Sequence, residues 1–462
     1  MAQKRHISDI LDQSDGEPSS KRRVIASKPA NDQYLTYPST STTVRPVPFQ
    51  QPAPLLTFSY TPSRALEFTD SALRYYVDPP NRAELKYGYE RWVKRPEEKG
   101  RLDGLLRAVS KVRSGMDASG VQGSAWLRDI GVVSWRGVMT KILTAPYEDR
   151  DGWEMNVMDV NGTMYLEEHL SDKKLVEKED MAPRQRLQSY FGYSFESWCT
   201  SSSPGIAERL EDHPPGWGGD VDTHVQWCSV VKTKLGDTRM VIGGEVDCVR
   251  DRFEGKTDSF VELKTSMVIR GPQDEARFEK KLLKFYFQSF LLGVPIVVGF
   301  RTPSGQLSTI QSFKTIQIPR LVRGKPDAWN PLLCLDWGHR FLTFLKSVVR
   351  KAGSDSAATQ EESAEKDSAK QPHPRVWRVK FEPRKGVSVS LLDEDGVREV
   401  EAGEERAGFL PRWYWDELQN HHPEPLAGSS RAVIDPAEGP ANVRITASTA
   451  ARAENVPAGW QI

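Results

Sequence analysis

Apolar and polar positions follow short regular patterns between residues 53 and 426, whereas residues 1–52 and 427–462 show no sustained period. The leucines of RLDGLLRAVSKVR (101–113) recur at helical spacing and predict a helix. Residues 130–143 (IGVVSWRGVMTKIL) and 153–165 (WEMNVMDVNGTMY) read as extended runs, the second folded at Asn161-Gly162 into a hairpin. VQWCSVVKTKL, MVIGGEVDCV, DSFVELKTSMV and PIVVGFRT read as further strands, and helices are predicted over 274–292 and 334–351. Strands predominate and helices are interspersed rather than alternating strictly. The expected fold class is therefore α+β, with mixed β-sheets flanked by helices.

The unpatterned stretches set the expected domain limits. Residues 1–52, rich in Ser, Thr, Pro and Gln, cannot bury enough apolar surface to offset their ordering entropy and are expected to form a disordered tail. A single folded domain is expected over 53–426, with a flexible insertion at 353–374 (GSDSAATQEESAEKDSAKQPHP) and a mobile tail at 427–462.

Lysine plus arginine and aspartate plus glutamate each number 63 in the 462 residues, so any basic groove for nucleic acid must be local. The four cysteines, Cys199, Cys228, Cys248 and Cys334, are widely spaced with no C-x-x-C pair, which argues against a zinc knuckle and a disulfide framework. No stretch approaches the roughly 18 uninterrupted apolar residues of a spanning helix, so no membrane partner is expected. Basic clusters at Lys4-Arg5 and Lys21-Arg22-Arg23 fit a nuclear import signal or a solvated charge run equally well.

Two apolar strands carry charge. On a strand alternate side chains share a face, so Glu245 and Asp247 of GGEVD point together, as do Glu262 and Lys264 of VELKT. If the two strands pair, three carboxylates and an ammonium meet in one patch. Packed carboxylates repel unless a cation sits among them, which points to a divalent metal, Mg²⁺ or Mn²⁺, and to phosphoryl hydrolysis. Either motif alone is more often the outer face of a strand; together, in strands this apolar, they need a reason. On the later helix Lys284 and Gln288 fall one turn apart.

E-x-D, E-x-K and a helical Q-S in this order resemble the D-(D/E)-x-K nuclease core and, more closely, the decapping and exoribonuclease (DXO-like) family. SWRGVMTK with Arg136, YFGYSFES ending in Glu196, QWCSVV, FSYTPSRALEFTDSALRYY and FLPRWYWDEL extend the likeness over roughly residues 55–420. The resemblance implies a catalytic set of Glu196, Glu245, Asp247, Glu262 and Lys264. Metal ligands would be the four carboxylates and the backbone carbonyl of Leu263. Trp135, Arg136, Gly137, Cys228, Glu245, Lys264 and Gln288 would line the pocket for the RNA 5′ end, with Arg64 contributing from upstream. Arg136 and Gln288, which lie outside the acidic cluster in sequence, are expected to hold phosphate and the first nucleotide rather than to bind metal.

The implied activity is removal of incomplete caps, NAD caps or 5′ triphosphate-derived pyrophosphate, leaving 5′-monophosphate RNA. Fungal members of the family include the interacting partner of the nuclear 5′→3′ exoribonuclease, which implies that protein as a partner and the nucleus as the location. The alternative is a mainly non-catalytic stabiliser of the exoribonuclease, and a DNA endonuclease is a weaker third reading. A costly buried carboxylate set favours catalysis over pure scaffolding.

Overall fold

The computed structural model describes residues 33–38, 44–120, 123–361 and 374–420. Ten strands form the larger sheet, in the order β1 (Tyr34–Thr36), β16 (Gly386–Leu391), β15 (Trp377–Glu382), β6 (Trp153–Val160), β7 (Thr163–His169), β5 (Val132–Trp135), β10 (Thr238–Glu245), β9 (Gln226–Leu235), β2 (Phe49–Tyr60) and β3 (Leu66–Glu67). All neighbours are antiparallel except β5, which runs parallel to both β7 and β10. A six-stranded sheet follows the order β14 (Leu307–Phe313), β13 (Ile296–Arg301), β12 (Phe260–Met267), β11 (Cys248–Val249), β4 (Tyr75–Tyr76) and β8 (Thr200–Ser201). A small hairpin pairs β17 (Arg406–Ala407) with β18 (Leu410–Pro411). Mixed sheets with flanking helices make the expected α+β class.

Alternation along the central strands sorts their side chains into two cores. Val132, Met164, Leu166, Val231, Met240 and Ile242 face one side, where they meet Val138 and Ile142 of the Arg136–Thr144 helix, Phe287 of the Pro272–Phe290 helix and Phe341 of the Pro331–Glu361 helix. Val133, Tyr165, Val230 and Val241 face the other, against Leu105, Leu106 and Val109 of the Asp103–Ala118 helix and Tyr414 and Leu418 of the Arg412–Gln419 helix. A third core packs Phe191 and Phe195 of the Pro183–Trp198 helix onto Val261, Leu263 and Val297 of the smaller sheet. Gly299 admits Phe195 there, since a Cβ at that position would fall 2.5 Å from the ring.

The Asn161-Gly162 hairpin forms as expected, with φ of 54° and 88° at the two turn residues. Other expectations need correction. The tail expected over 1–52 contains ordered residues: Tyr34–Thr36 adds an edge strand to β16, and Phe49 at the start of β2 is 4% exposed in the core. A three-residue strand is too short to show a period, and its partner lies more than 300 residues away. Residues 130–143 are not extended throughout, because the chain turns into the Arg136–Thr144 helix directly after β5. Val138, Met139, Ile142 and Leu143 have helical spacing, and it wins. The Pro331–Glu361 helix runs into the expected 353–374 insertion, while 362–373 and the 427–462 tail lie outside the described residues, as do both basic clusters near the start. No helix among the described residues is long and apolar enough to cross a membrane.

Candidate active site

Strands β5 and β10 run parallel and end side by side, Gly243 opposite Trp135. Past this edge the chain does two things. From β5 it starts the Arg136–Thr144 helix, so Arg136 is the first helical residue, and from β10 it crosses to the smaller sheet as β11. Glu245 closes β10 opposite Cys228, and Asp247 lies in the crossover. Since Cys248 pairs with Val261, Asp247 falls beside Glu262, and its Oδ2 accepts the Leu263 amide at 2.6 Å. The E-x-D and E-x-K segments are thus neighbours, though not as one continuous hairpin: Glu245 belongs to one sheet and Glu262 to the other. Val246 folds into the core at the break, packing that period-two reading does not distinguish from a continuous strand.

Adjacent glycines make the crossing possible. A Cβ on Gly243 would meet the Trp135 indole at 2.7 Å, and one on Gly244 would meet Arg136 Cβ at 3.1 Å and Nε at 3.2 Å. Trp135 and Arg136 therefore lie over opposite faces of the sheet edge. The indole packs into the second core and donates Nε1–H to the Arg101 carbonyl at 2.8 Å, so the structure does not bring this side chain to the carboxylates. Arg136 does reach them, although it lies outside the acidic segments in sequence. Its Nη1 donates to Glu262 Oε2 at 2.7 Å and to the Gln288 carbonyl at 3.4 Å. Lys264 Nζ donates to Glu262 Oε1 at 2.5 Å and stands 3.9 Å from Asp247 Oδ2.

Glu196, on the Pro183–Trp198 helix, shares with Glu245 and Asp247 the lining of a cleft of about 520 Å³. Gln288 is half-buried, with its backbone carbonyl facing Arg136, and Lys284, one turn earlier, is exposed. Gly137 faces open space, with nothing within 4 Å of an added Cβ. The Cys228 thiol is 3% exposed, and burial, followed by the Glu245 charge, raises its pKa above the usual thiol range. Arg64 Nη1 donates to the His224 carbonyl and Gln226 Oε1, and Gln226 Nε2 donates to Glu245 Oε2 at 2.8 Å, which ties Arg64 to the cluster through one residue. Arg95, which also reaches Gln226 Oε1, is absent from the sequence reading, and Gln226 stands in it only as part of the QWCSVV segment, without a role. Gln226 had a signal, being two residues before Cys228 on one face of β9; Arg95 sits in an aperiodic segment and had none.

The electrostatics show how crowded the acids are. Burial pushes the Glu196 carboxyl well above the carboxylate range, helped by Asp247 and Glu245. Asp247 is raised to about 7, by burial first and then by Glu262. Glu245 is raised by burial against the pull of Arg136. Burial would raise Glu262 as well, yet Arg136 and Lys264 overcome it and hold this carboxyl at about 2. Burial opposes the charge on Lys264, and Glu262 and Asp247 outweigh it, so its pKa rises and the ammonium persists. Two cations thus serve four carboxylates, and both are spent mainly on Glu262.

Among the described residues no three acidic, His or Cys side chains converge in ready-made metal geometry. The donor set nevertheless fits a hard divalent cation. All its donors are oxygens, several are desolvated, and three of its carboxyls have pKa values raised by burial first, a cost that the charge of an ion would offset.

Comparison with known proteins agrees with this geometry. Residues 50–415 match the family described as RAI1 like PD-(D/E)XK nuclease. The Decapping nuclease RAI1 of Cryptococcus neoformans var. neoformans serotype D (strain B-3501A) is 38% identical over 370 residues, which cover 76% of this chain and 91% of that protein. The Decapping and exoribonuclease protein of Homo sapiens is 33% identical over 392 residues, covering 82% and 89%. Among solved structures, S. pombe Rai1 in complex with 3′-FADP aligns at a TM-score of 0.58 and 25% identity, over 78% of this chain and 99% of that one. Since the match runs over residues 50–415 and takes in every carboxylate of the cleft, this chain belongs to the RAI1-like PD-(D/E)XK nuclease family.

Proposed function

We propose that this chain is a divalent-metal-dependent hydrolase of RNA 5′ ends, releasing an incomplete cap, an NAD-type cap or pyrophosphate and leaving 5′-monophosphate RNA. The observation that carries the reading is the excess of desolvated carboxylates over cations where the two sheets meet. Curated relatives are decapping nucleases, and one solved neighbour holds a dinucleotide, 3′-FADP.

Glu196, Glu245, Asp247 and Glu262 would hold Mg²⁺ or Mn²⁺, with the Leu263 carbonyl as a further ligand. The bound ion supplies charge that activates water and offsets charge developing on the phosphate oxygens. In the reaction a water oxygen bonds to the phosphorus that becomes the RNA's 5′-monophosphate, and the bond from that phosphorus to its bridging oxygen breaks. The leaving oxygen, of a phosphate or of a released cap nucleotide's ribose, keeps the electron pair, and the water's proton passes to that oxygen or to solvent. Lys264, its charge held by Glu262, donates hydrogen bonds to anionic oxygen and orients rather than accepts a proton. Arg136 both steadies Glu262 and presents guanidinium donors to a terminal phosphate, beside the open space over Gly137 and the half-buried Gln288. Cys228 and Trp135 act through packing and backbone.

The identity of the end is tested by incubating RNAs with 5′-triphosphate, unmethylated-cap, methylated-cap and NAD ends, with Mn²⁺ and with chelator. Metal-dependent release from at least one of them is expected, and release from none would remove the reading.

A 5′-monophosphate is the end that a processive 5′→3′ exoribonuclease consumes. Together with the family resemblance, this supports a nuclear exoribonuclease as partner and the nucleus as location. Adding the Asp247→Asn protein to that exoribonuclease tests stabilisation apart from catalysis: an unchanged inactivation rate of the nuclease would rule it out.

A further inference from the structure

We infer that Gln226 is a positioning residue, whose amide fixes the Glu245 carboxylate for a divalent ion without neutralising it. The inference rests on the metal-centre reading above and concerns how the centre is held, not which 5′ end it receives. Gln226 Nε2 donates to Glu245 Oε2 at 2.8 Å, and among the described residues Glu245 Oε1 makes no hydrogen bond.

Strand register puts the amide there. β10 stops at Glu245, opposite Cys228, whereas β9 runs two residues further, to Gln226. Gln226 therefore has Tyr60 of β2 on one side and no residue of β10 on the other, where the Val246 amide turns to the Trp227 carbonyl at 2.9 Å. From that gap a side chain on the same face as Cys228 reaches diagonally to the end of β10.

The amide's orientation is decided as well. Its Oε1 accepts from Arg64 Nη1 at 2.8 Å and from Arg95 Nη1 at 3.2 Å. A flipped amide would turn its NH₂ towards two guanidiniums and its oxygen towards a carboxylate, losing all three bonds. Both donors are themselves anchored: Arg64 stacks 3.8 Å from the centre of the Tyr60 ring, and the Arg95 amide donates to Thr223 Oγ1 at 2.8 Å. Charged donors on the carbonyl oxygen also polarise the amide and strengthen its N–H towards Glu245.

The residue type has a consequence of its own. Glu262 has a guanidinium on one oxygen and an ammonium on the other, which match its charge. A cation at position 226 would do the same to Glu245 and compete with an ion, and a carboxylate there would repel it. A neutral amide fixes one oxygen and leaves the negative charge in place. Groups that orient a metal ligand in this way contribute roughly 10- to 100-fold in metal affinity.

The test is calorimetric Mn²⁺ titration of the full chain as wild type, Gln226→Met and Gln226→Glu, each shown by circular dichroism in chelator to be folded. Methionine keeps the length and removes the donor, and it is expected to weaken Mn²⁺ binding roughly tenfold to a hundredfold. Glutamate keeps an acceptor for both arginines but cannot donate to Glu245, so it is expected to lose at least as much, and it carries the test if methionine unfolds the chain. Single-turnover hydrolysis by Gln226→Met should approach the wild-type rate as Mn²⁺ is raised, with KM for RNA unchanged. Wild-type Mn²⁺ affinity in either variant overturns the inference; in Gln226→Glu it would show that holding the arginines is what counts. A raised KM for RNA at unchanged Mn²⁺ affinity overturns it too and makes Gln226 a substrate contact. The hydrolase reading fails on a different result. A chain whose Mn²⁺ affinity depends on Gln226, yet which releases nothing from any 5′ end, keeps the positioning role and loses the reaction.

Discussion

Arg136 Nη1 and Glu262 Oε2 lie 2.7 Å apart, joining the first residue of a helix on the larger sheet to a central strand of the smaller one. Glu262 is 1% exposed, and with Lys264 on its other oxygen its charge is matched from both sides. Breaking a buried pair leaves an uncompensated charge, so Arg136→Ala is expected to cost about 3 kcal/mol of stability in the metal-free protein. A cation among the carboxylates replaces some of the missing charge, so Mn²⁺ should restore part of the loss. Denaturant unfolding with and without Mn²⁺ measures both, and a deficit indifferent to the ion would show that Arg136 supports the fold apart from the cluster.

Asp247 behaves in the opposite way. Its carboxyl is held at about 7, so ionising it in the folded protein is unfavourable at neutral pH. Asp247→Asn removes that charge and keeps an oxygen for the Leu263 amide, whose bond to Asp247 Oδ2 is 2.6 Å. Hydrolysis should fall by at least ~10²-fold, on the order of what a lost transition-state group costs, while the metal-free protein unfolds at a higher temperature than wild type at pH 8. A lower unfolding temperature would mean that the carboxylate supports the fold.

The pH dependence has a definite sign. Asp247 at about 7 and Glu167 at about 8 are both raised, mainly by burial, and Glu196 and Glu245 are raised as well. Folded pKa values above the unfolded ones mean stability present below about pH 4 and lost as pH climbs through 7 to 8. Glu262, held at about 2, has the reverse sign, and its contribution is lost only as pH falls towards 2. The metal-free melting temperature should therefore decline from pH 5 to 8.5, and Glu167→Gln should flatten the upper part of the decline. Mn²⁺ competes with protons for Asp247, so its affinity should rise across pH 6 to 8. A flat melting profile in chelator would contradict this.

The glycine pair at the sheet edge separates fold from function. Gly243→Ala drives a methyl to within 2.7 Å of the Trp135 ring and 2.9 Å of Leu105, and overpacking of this kind costs about 1–3 kcal/mol. Gly244→Ala meets Arg136 and Leu292 at 3.1 Å, contacts that small shifts relieve, so it should lower kcat/KM more than stability. Chemical denaturation beside single-turnover hydrolysis distinguishes the two; equal stability losses would show that the edge tolerates no asymmetry.

The carboxylates were legible because period-two spacing inside apolar strands marks charges that need a reason, and Glu245, Asp247, Glu262 and Lys264 do meet. Their arrangement was not legible. Nothing local says that Val246 leaves one sheet for another, or that Arg136 turns back from its helix onto Glu262, because both depend on pairings between distant segments. Trp135 shows what adjacency in sequence does not give: its neighbour Arg136 enters the cluster while the indole, one residue earlier, falls on the opposite face. Arg95 shows the complementary limit, since its place is set by a bridge from Val93 to Asp222 that no periodicity announces.

The central claim is that the excess carboxylates form a divalent-metal centre for hydrolysis at RNA 5′ ends. Its most direct test is single-turnover reaction of 5′-triphosphate and NAD-capped RNA with wild-type and Asp247→Asn protein, in Mn²⁺ and in chelator, with both products weighed by mass spectrometry. The expected result is 5′-monophosphate RNA from at least one substrate, formed by wild type in Mn²⁺ and lost both in chelator and in the variant. Release that survives chelation and the Asp247 substitution would contradict the account.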